Sequence, residues 1–181
     1  MRLSSLPMML ATALLGGGFL GAVFIAGPAG MVHLNTTLGW PDMDWALARA
    51  AGGSLLAAGT ILVLWCWGLF LREGQGTPVP VNPPRRLVRS GPYQHSRNPT
   101  YFAYFVMLVG LFLFRGELSL LLYAAFYAIM IHLWIVRYEE PGLRRRFGRA
   151  YVAYLERVPR WFALPGSGRA RETSSPRAPM S

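Results

Sequence analysis

Four long apolar runs dominate this chain: Met8 to Val32, Ala46 to Leu71, Thr100 to Phe114 and Leu118 to Val136. About 20 apolar residues carry an α-helix across a hydrocarbon core roughly 30 Å thick. Such a core offers no water to a bare backbone, so a crossing segment must satisfy its own N–H and C=O groups. The first two runs exceed the required length, and the third approaches it only if it begins at Pro99 and ends at Arg115. Only Arg115-Gly116-Glu117 separates the third run from the fourth, which forces a tight antiparallel hairpin. The expected fold is therefore all-α: an integral membrane bundle of about four transmembrane helices with a C-terminal cytoplasmic amphipathic helix. One domain is expected over 1–164. A disordered tail over 165–181 is expected from its Gly, Pro, Ser and Arg content.

The first run is longer than the roughly 7–15 residues of a signal-peptide core and no clean A-x-A cleavage site follows it, so it reads as a retained helix. Gly17 and Gly21, four apart within it, could allow another helix to pack closely. The chain is 53% hydrophobic yet carries a formal charge of +10, and its charges are gathered between and after the apolar runs. Arginines in those places meet anionic headgroups and hold loops in the cytoplasm. Placing both termini inside leaves 16 of the 18 arginines on the cytoplasmic side, with only Arg49 and Arg115 outside. The lipid bilayer, in a bacterial cytoplasmic membrane, is the expected partner, and nucleic acid is not. A single cysteine, Cys66, excludes an intrachain disulfide and a thiolate zinc cluster, and no metal site is expected.

Two cytoplasmic stretches carry further information. Gly74 to Pro84, with Pro78, Pro80, Pro83 and Pro84, reads as an extended connector. Beyond Val136, Leu143, Phe147, Ala150, Tyr154 and Val158 recur at helical spacing among arginines, which predicts an amphipathic helix on the membrane face.

The densest polar cluster runs from Gly91 to Tyr101, at the cytoplasmic mouth of the third helix. Pro99 suits the first helical position, with Asn98 as its cap. Free N–H groups at a helix start and the guanidinium of Arg97 would receive a carboxylate or phosphate. Tyr93 and Tyr101 could pack their rings against a cationic or planar ligand. The same residues are equally compatible with a capped helix start and a snorkelling arginine. A second cluster, Glu139 and Glu140, ends the fourth helix. It either bridges to Arg144 or to Arg85 and Arg86, or it receives a ligand's ammonium or hydroxyls. Because the hairpin's far ends return to one membrane face, Arg97 and Glu140 can face each other across one pocket, as a zwitterionic cofactor requires.

His33 and His132 are isolated in apolar surroundings and read as packing residues, and His95 reads as a loop residue. Asp42 and Asp44 lie on the outer side. The chain has no P-loop, G-x-S-x-G, H-E-x-x-H or G-x-G-x-x-G motif.

Four segments together carry a resemblance: Leu87-Val88-Arg89-Ser90-Gly91-Pro92-Tyr93; Arg97-Asn98-Pro99-Thr100-Tyr101; Glu139-Glu140; and Phe147 to Tyr154 with Val158-Pro159-Arg160-Trp161. Over about residues 85 to 162 they resemble the isoprenylcysteine carboxyl methyltransferase family, a relative of the membrane phospholipid N-methyltransferases. The resemblance implies S-adenosylmethionine as cofactor and a lipophilic or small-molecule methyl acceptor entering from the bilayer. By position it implies cofactor contacts at Arg97, Pro99, Tyr101 and Glu140, with Tyr93, Asn98 and Glu139 in support and Arg97 as the residue orienting the reacting groups. Asn98 stands where that family often has histidine, so this position cannot act as an acid or base. Methyl transfer from a sulfonium to an ionised carboxylate or thiolate needs no general base, only alignment and removal of water. Membrane sterol reductases, which use NADPH, share a similar C-terminal stretch and form a rival. A non-catalytic membrane interaction protein forms another.

Overall fold

The computed structural model describes residues 6–43, 46–77 and 84–162. Among them there is no strand, and helices follow one another in the order the apolar runs dictate. Helix α1 (Leu6–Gly21) continues through a π-helical turn (Ala22–Ala26) into α2 (Gly27–Leu38). Helix α3 (Ala46–Leu69) ends in a second π turn (Phe70–Gly74). A 3₁₀ turn (Gly91–Gln94) precedes α4 (Pro99–Arg115). Helix α5 (Leu118–Trp134) runs through a third π turn (Ile135–Glu139) into α6 (Glu140–Phe147), and α7 (Arg149–Arg157) follows.

Three continuous spans are long and apolar enough to cross a bilayer: Leu14–Leu38, Ala46–Gly74 and Leu118–Phe147. Helix α4 is shorter, about 25 Å at 1.5 Å per residue. Its bounds are those the sequence required for it to approach spanning length. Leu14, Leu15, Ile25, Leu47, Ile61, Leu64, Phe126 and Ile129 all stand exposed on helix exteriors, as lipid-facing side chains do. The chain is thus an integral membrane protein.

Two of the π turns have a cause in the sequence. In a π turn each N–H reaches back five residues, and Gly27 N–H duly bonds the Ala22 carbonyl. The Val23 carbonyl would next look to residue 28, but Pro28 has no N–H. The orphaned oxygen instead accepts the Tyr123 hydroxyl at 3.2 Å, which ties the first span to α5. A Cβ at Gly27 would meet the end of that same tyrosine ring and displace it. The second case is alike: Glu140 N–H bonds the Ile135 carbonyl, and Pro141 follows with no N–H to offer.

Helices α3 and α4 pack most closely. A Cβ on Gly52 would lie 2.5 Å from Phe114 N and 2.6 Å from the Gly110 carbonyl oxygen, so the two backbones touch. Gly17 and Gly21, expected to serve this purpose, have open space beside them. Around Val63, Ala103, Tyr104, Leu108, Ala124 and Tyr127 the spans α3, α4 and α5 share one core. At one end of the bundle the hairpin turns through Gly116 at φ +80°, and the Asn35 side chain joins α2 to the start of α5 by accepting Ser119 N–H at 3.2 Å.

The amphipathic face beyond Val136 forms as expected but is broken in two. Gly148, at φ +53°, separates α6 from α7, and Tyr151, Tyr154 and Val158 bury themselves with Leu87, Leu143 and Phe147. The expected tail from residue 165, most of the proline-rich connector, and Asp44 lie outside the described residues.

Gly52→Val and Gly110→Val should each force α3 and α4 apart and destabilise the protein by about 1–3 kcal/mol. Thermal unfolding in detergent checks this, with Gly17→Val expected to leave the midpoint unchanged.

Candidate functional site

The site is built where the end of the hairpin away from Gly116 meets the segment after α7. Gly91 takes a positive φ of 56°, and the 3₁₀ turn it opens drops Tyr93 against Cys66 and Phe70 on the α3 side. The Tyr93 hydroxyl shares a 2.9 Å hydrogen bond with Thr100, and its carbonyl accepts the Tyr154 hydroxyl at 2.6 Å, which docks α7. Burial pushes the Tyr93 phenol well above its ordinary pKa, so it stays protonated. Tyr93 is therefore a buried post, with its ring against Phe70.

Pro99 is the first residue of α4 as expected, and it is fully buried. Asn98 holds the N-cap position, but its side chain makes no capping bond. Its carboxamide donates instead to the Arg160 carbonyl at 3.1 Å. Ser96 donates to that same oxygen at 3.1 Å, and Arg97 N–H donates to the Pro159 carbonyl at 2.9 Å. Residues 158–162 are thereby strapped across the start of α4.

The strap delivers a second guanidinium. Arg160 donates through Nε to Glu140 Oε1 at 2.7 Å and through Nη2 to Oε2 at 3.0 Å. Arg97 Nη1 donates to Oε1 as well, at 2.9 Å. The Glu140 side chain is 9% exposed, Arg97 12% and Arg160 30%, so the carboxylate is clasped between two cations with little water. Its hydrogen bonds hold the Arg160 guanidinium even further above its ordinary pKa. Of the partners anticipated for Glu140, neither Arg144 nor the Arg85 and Arg86 pair bonds it. Arg160 does, and its position in the Val-Pro-Arg-Trp ending was the available signal.

Two polar atoms at this mouth are buried with no partner: Arg97 Nε and Glu139 Oε2. A buried unpaired donor or acceptor costs about 1–3 kcal/mol, more when charged, so native structures rarely keep one without a use. Tyr101 lies beside Glu139, close enough for their side chains to interact. The mouth thus presents one unmet cationic donor and one unmet anionic acceptor.

Below it, between α4 and α5, lies a cavity of about 440 Å³ lined by Tyr101, Phe102, Phe105, Ile129, His132 and Trp161. Its walls are almost wholly apolar. Tyr101 belongs to both regions, and adjacent strap residues reach each of them: Arg160 the mouth, Trp161 the groove.

The family model for phospholipid methyltransferase matches residues 47–150, from the start of α3 into α7. The chain belongs to the phospholipid methyltransferase family. The match takes in α3, which alone had looked like a generic membrane helix, as well as the whole hairpin and α6. No curated protein and no solved structure matches. Within this methyltransferase family assignment, the chain has a polar mouth and an apolar groove on one helical hairpin. Among the described residues no group of three or more His, Cys, Asp or Glu could hold a metal ion.

Glu140→Ala would leave Arg97 and Arg160 facing each other with no counter-charge. A loss of about 3 kcal/mol is expected, the low end for a buried pair because Arg160 is 30% exposed. Arg160→Ala, which leaves Arg97 on the carboxylate, should cost less, and unfolding midpoints of the two variants in one detergent give the order.

Proposed function

We propose that this protein is an S-adenosylmethionine-dependent methyltransferase whose donor binds at the mouth and whose lipophilic or small acceptor, such as an isoprenylcysteine carboxylate, lies in the groove. The observation that carries the reading is the pair of orphaned atoms. Arg97 Nε seeks an anion, and Glu139 Oε2, beside Tyr101, seeks a cation or hydroxyl; both atoms are buried. S-adenosylmethionine has a carboxylate, an ammonium, a sulfonium and ribose hydroxyls, so these residues fit it. When bound, it supplies an electrophilic methyl group on sulfur.

The chain's own residues then position and desolvate. Arg97 takes the anionic group, of donor or acceptor, and Glu139 and Glu140 take cationic or hydroxyl groups. Tyr101 offers its ring to positive charge where mouth meets groove. Pro99 fixes the start of α4, while Tyr93 and Asn98 hold the loop and strap behind it. The groove excludes water from an acceptor carboxylate, which is already ionised and needs no base. Asparagine at position 98 is compatible with that chemistry. In this arrangement rate comes from alignment and exclusion of water rather than proton transfer.

The mouth is proposed to face the cytoplasm, with both termini on that side, in a bacterial cytoplasmic membrane. The arginine distribution supports this. Arg149 is exposed at the start of α7 and Cys66 is buried, so Arg149→Cys should be labelled by an impermeant maleimide only from the cytoplasmic face.

One observation favours a purely structural reading: Glu140 is fully engaged by two arginines without any ligand. Calorimetric titration separates the readings. Wild-type protein should bind S-adenosylmethionine and not NADPH, and Arg97→Ala and Glu139→Gln should each raise the Kd at least about tenfold. Heat with NADPH alone would favour a reductase. No heat with either cofactor would leave the clasp as a structural lock.

A further inference from the structure

His132 is the one titratable side chain that lines the apolar groove without belonging to the polar mouth. Its Nδ1 accepts the Trp161 indole N–H at 3.3 Å, with the two rings stacked 6.2 Å apart. An imidazole nitrogen that accepts a hydrogen bond carries no proton, so a neutral His132 must carry its proton on Nε2. Trp161 therefore sets the tautomer. Nε2 has no hydrogen-bond partner among the described residues, and it is not among the buried unpartnered atoms, so it remains reachable. A lone N–H donor in a wall of Phe102, Phe105 and Ile129 has little to bond to unless a ligand brings an oxygen.

We propose that His132 Nε2–H binds the carbonyl or carboxylate oxygen of a membrane-borne amphiphile lying in the α4–α5 groove, with Trp161 as the positioning residue that fixes the tautomer. This rests on the groove being the acceptor site of the reading above, and it names the polar end the groove selects. The occupant's chemistry follows from the lining: apolar walls for the chain and one N–H donor for one oxygen. Position bears on how the bound group must be met. His132 precedes Glu139 by seven residues, about 10 Å along the helix axis, so it lies well below the polar mouth. Any ionised headgroup is costly to draw that far into apolar surroundings unless a donor meets it there, and His132 Nε2–H is that donor for a carbonyl or carboxylate oxygen.

The role assigned to His132 is binding, not proton transfer. With Nδ1 committed to Trp161 and Nε2 protonated, the ring has no free lone pair to act as a base. It holds the acceptor so that its reacting oxygen stays near Tyr101, where the groove joins the mouth.

The test uses full-length protein in nanodiscs and the fluorescent amphiphile cis-parinaric acid, read by energy transfer from the protein's tryptophans. Three probes are compared: the acid, its methyl ester, and a polyene hydrocarbon of equal length. Wild-type protein should prefer the acid to the hydrocarbon by about tenfold, the scale of one hydrogen bond to a charged group. His132→Phe, which keeps a flat ring without a donor, should abolish that preference, and His132→Gln, whose amide N–H₂ reaches the Nε2 position, should restore most of it. An ester that binds as well as the acid identifies a carbonyl as the group recognised, and an ester that binds like the hydrocarbon identifies a carboxylate. Either supports the assignment. A preference that survives in His132→Phe, or that His132→Gln fails to restore, overturns it. S-adenosylmethionine titrations on the same preparations keep the two readings apart: absence of cofactor binding removes the methyltransferase, while the probe series still decides the role of His132.

Discussion

A single carboxylate closes this molecule. Glu140 ends the α4–α5 hairpin, Arg97 begins it, and Arg160 lies on the strap that follows α7, yet all three side chains meet within hydrogen-bond distance. A carboxylate only 9% exposed at the edge of a bilayer cannot stay ionised alone, so the cations are a condition of its burial. Replacing such a cluster by apolar side chains could well leave the fold as stable. What apolar side chains could not supply is direction: three charge-assisted hydrogen bonds fix where the two helix ends and the strap stand relative to each other. The backbone bonds from Ser96, Arg97 and Asn98 to Pro159 and Arg160 repeat that registration in a second set of contacts.

The carboxylate reaches that place because of a proline. Pro141 cannot complete the helical ladder, and the preceding turn relaxes to π geometry with an extra residue inside it. That extra residue rotates everything beyond it relative to α5. Without it, Glu139 and Glu140 would occupy different faces from those that present one to Tyr101 and the other to Arg97. Pro28 produces the same effect in the first span, where the released carbonyl serves as an anchor for Tyr123. Two prolines, one within an apolar run and one just beyond another, thus set a packing contact in one place and the aim of two acids in the other.

Much of this was legible in the sequence, and the reasons for the rest are physical. Run length and the three-residue linker were enough for the span pattern and the hairpin, because the bilayer imposes length and a short linker imposes antiparallel return. The convergence of Arg97 and Glu140 followed from that return. Contacts between residues far apart in sequence were not legible. Gly17 and Gly21 had the familiar spacing, yet the close helix pair is made by Gly52, Gly59 and Gly110, since spacing marks a small-residue face but not which helix will meet it. Asn98 occupies a cap position by local logic, but the strap offers its amide a better buried acceptor. Arg160 could not be chosen over Arg144 or Arg85 until the break at Gly148 turned α7 back towards the mouth.

The same strap explains why a polar mouth and an apolar groove can work as one device. Arg160 and Trp161 are neighbours, so their side chains leave the backbone in different directions and commit to different solvents: one to Glu140, the other to His132. Any movement that withdraws the strap must release both contacts together, exposing Glu140 to a polar ligand at the same moment that the groove loses its Trp161 wall. Tyr101 gives the fixed counterpart on α4, lining the groove while standing beside Glu139. On the proposed reading this coupling suits a reaction between a water-soluble donor and a lipid-borne acceptor. Neither partner shares a solvent with the other, and a site whose two halves are anchored on adjacent residues holds a polar mouth and an apolar groove side by side.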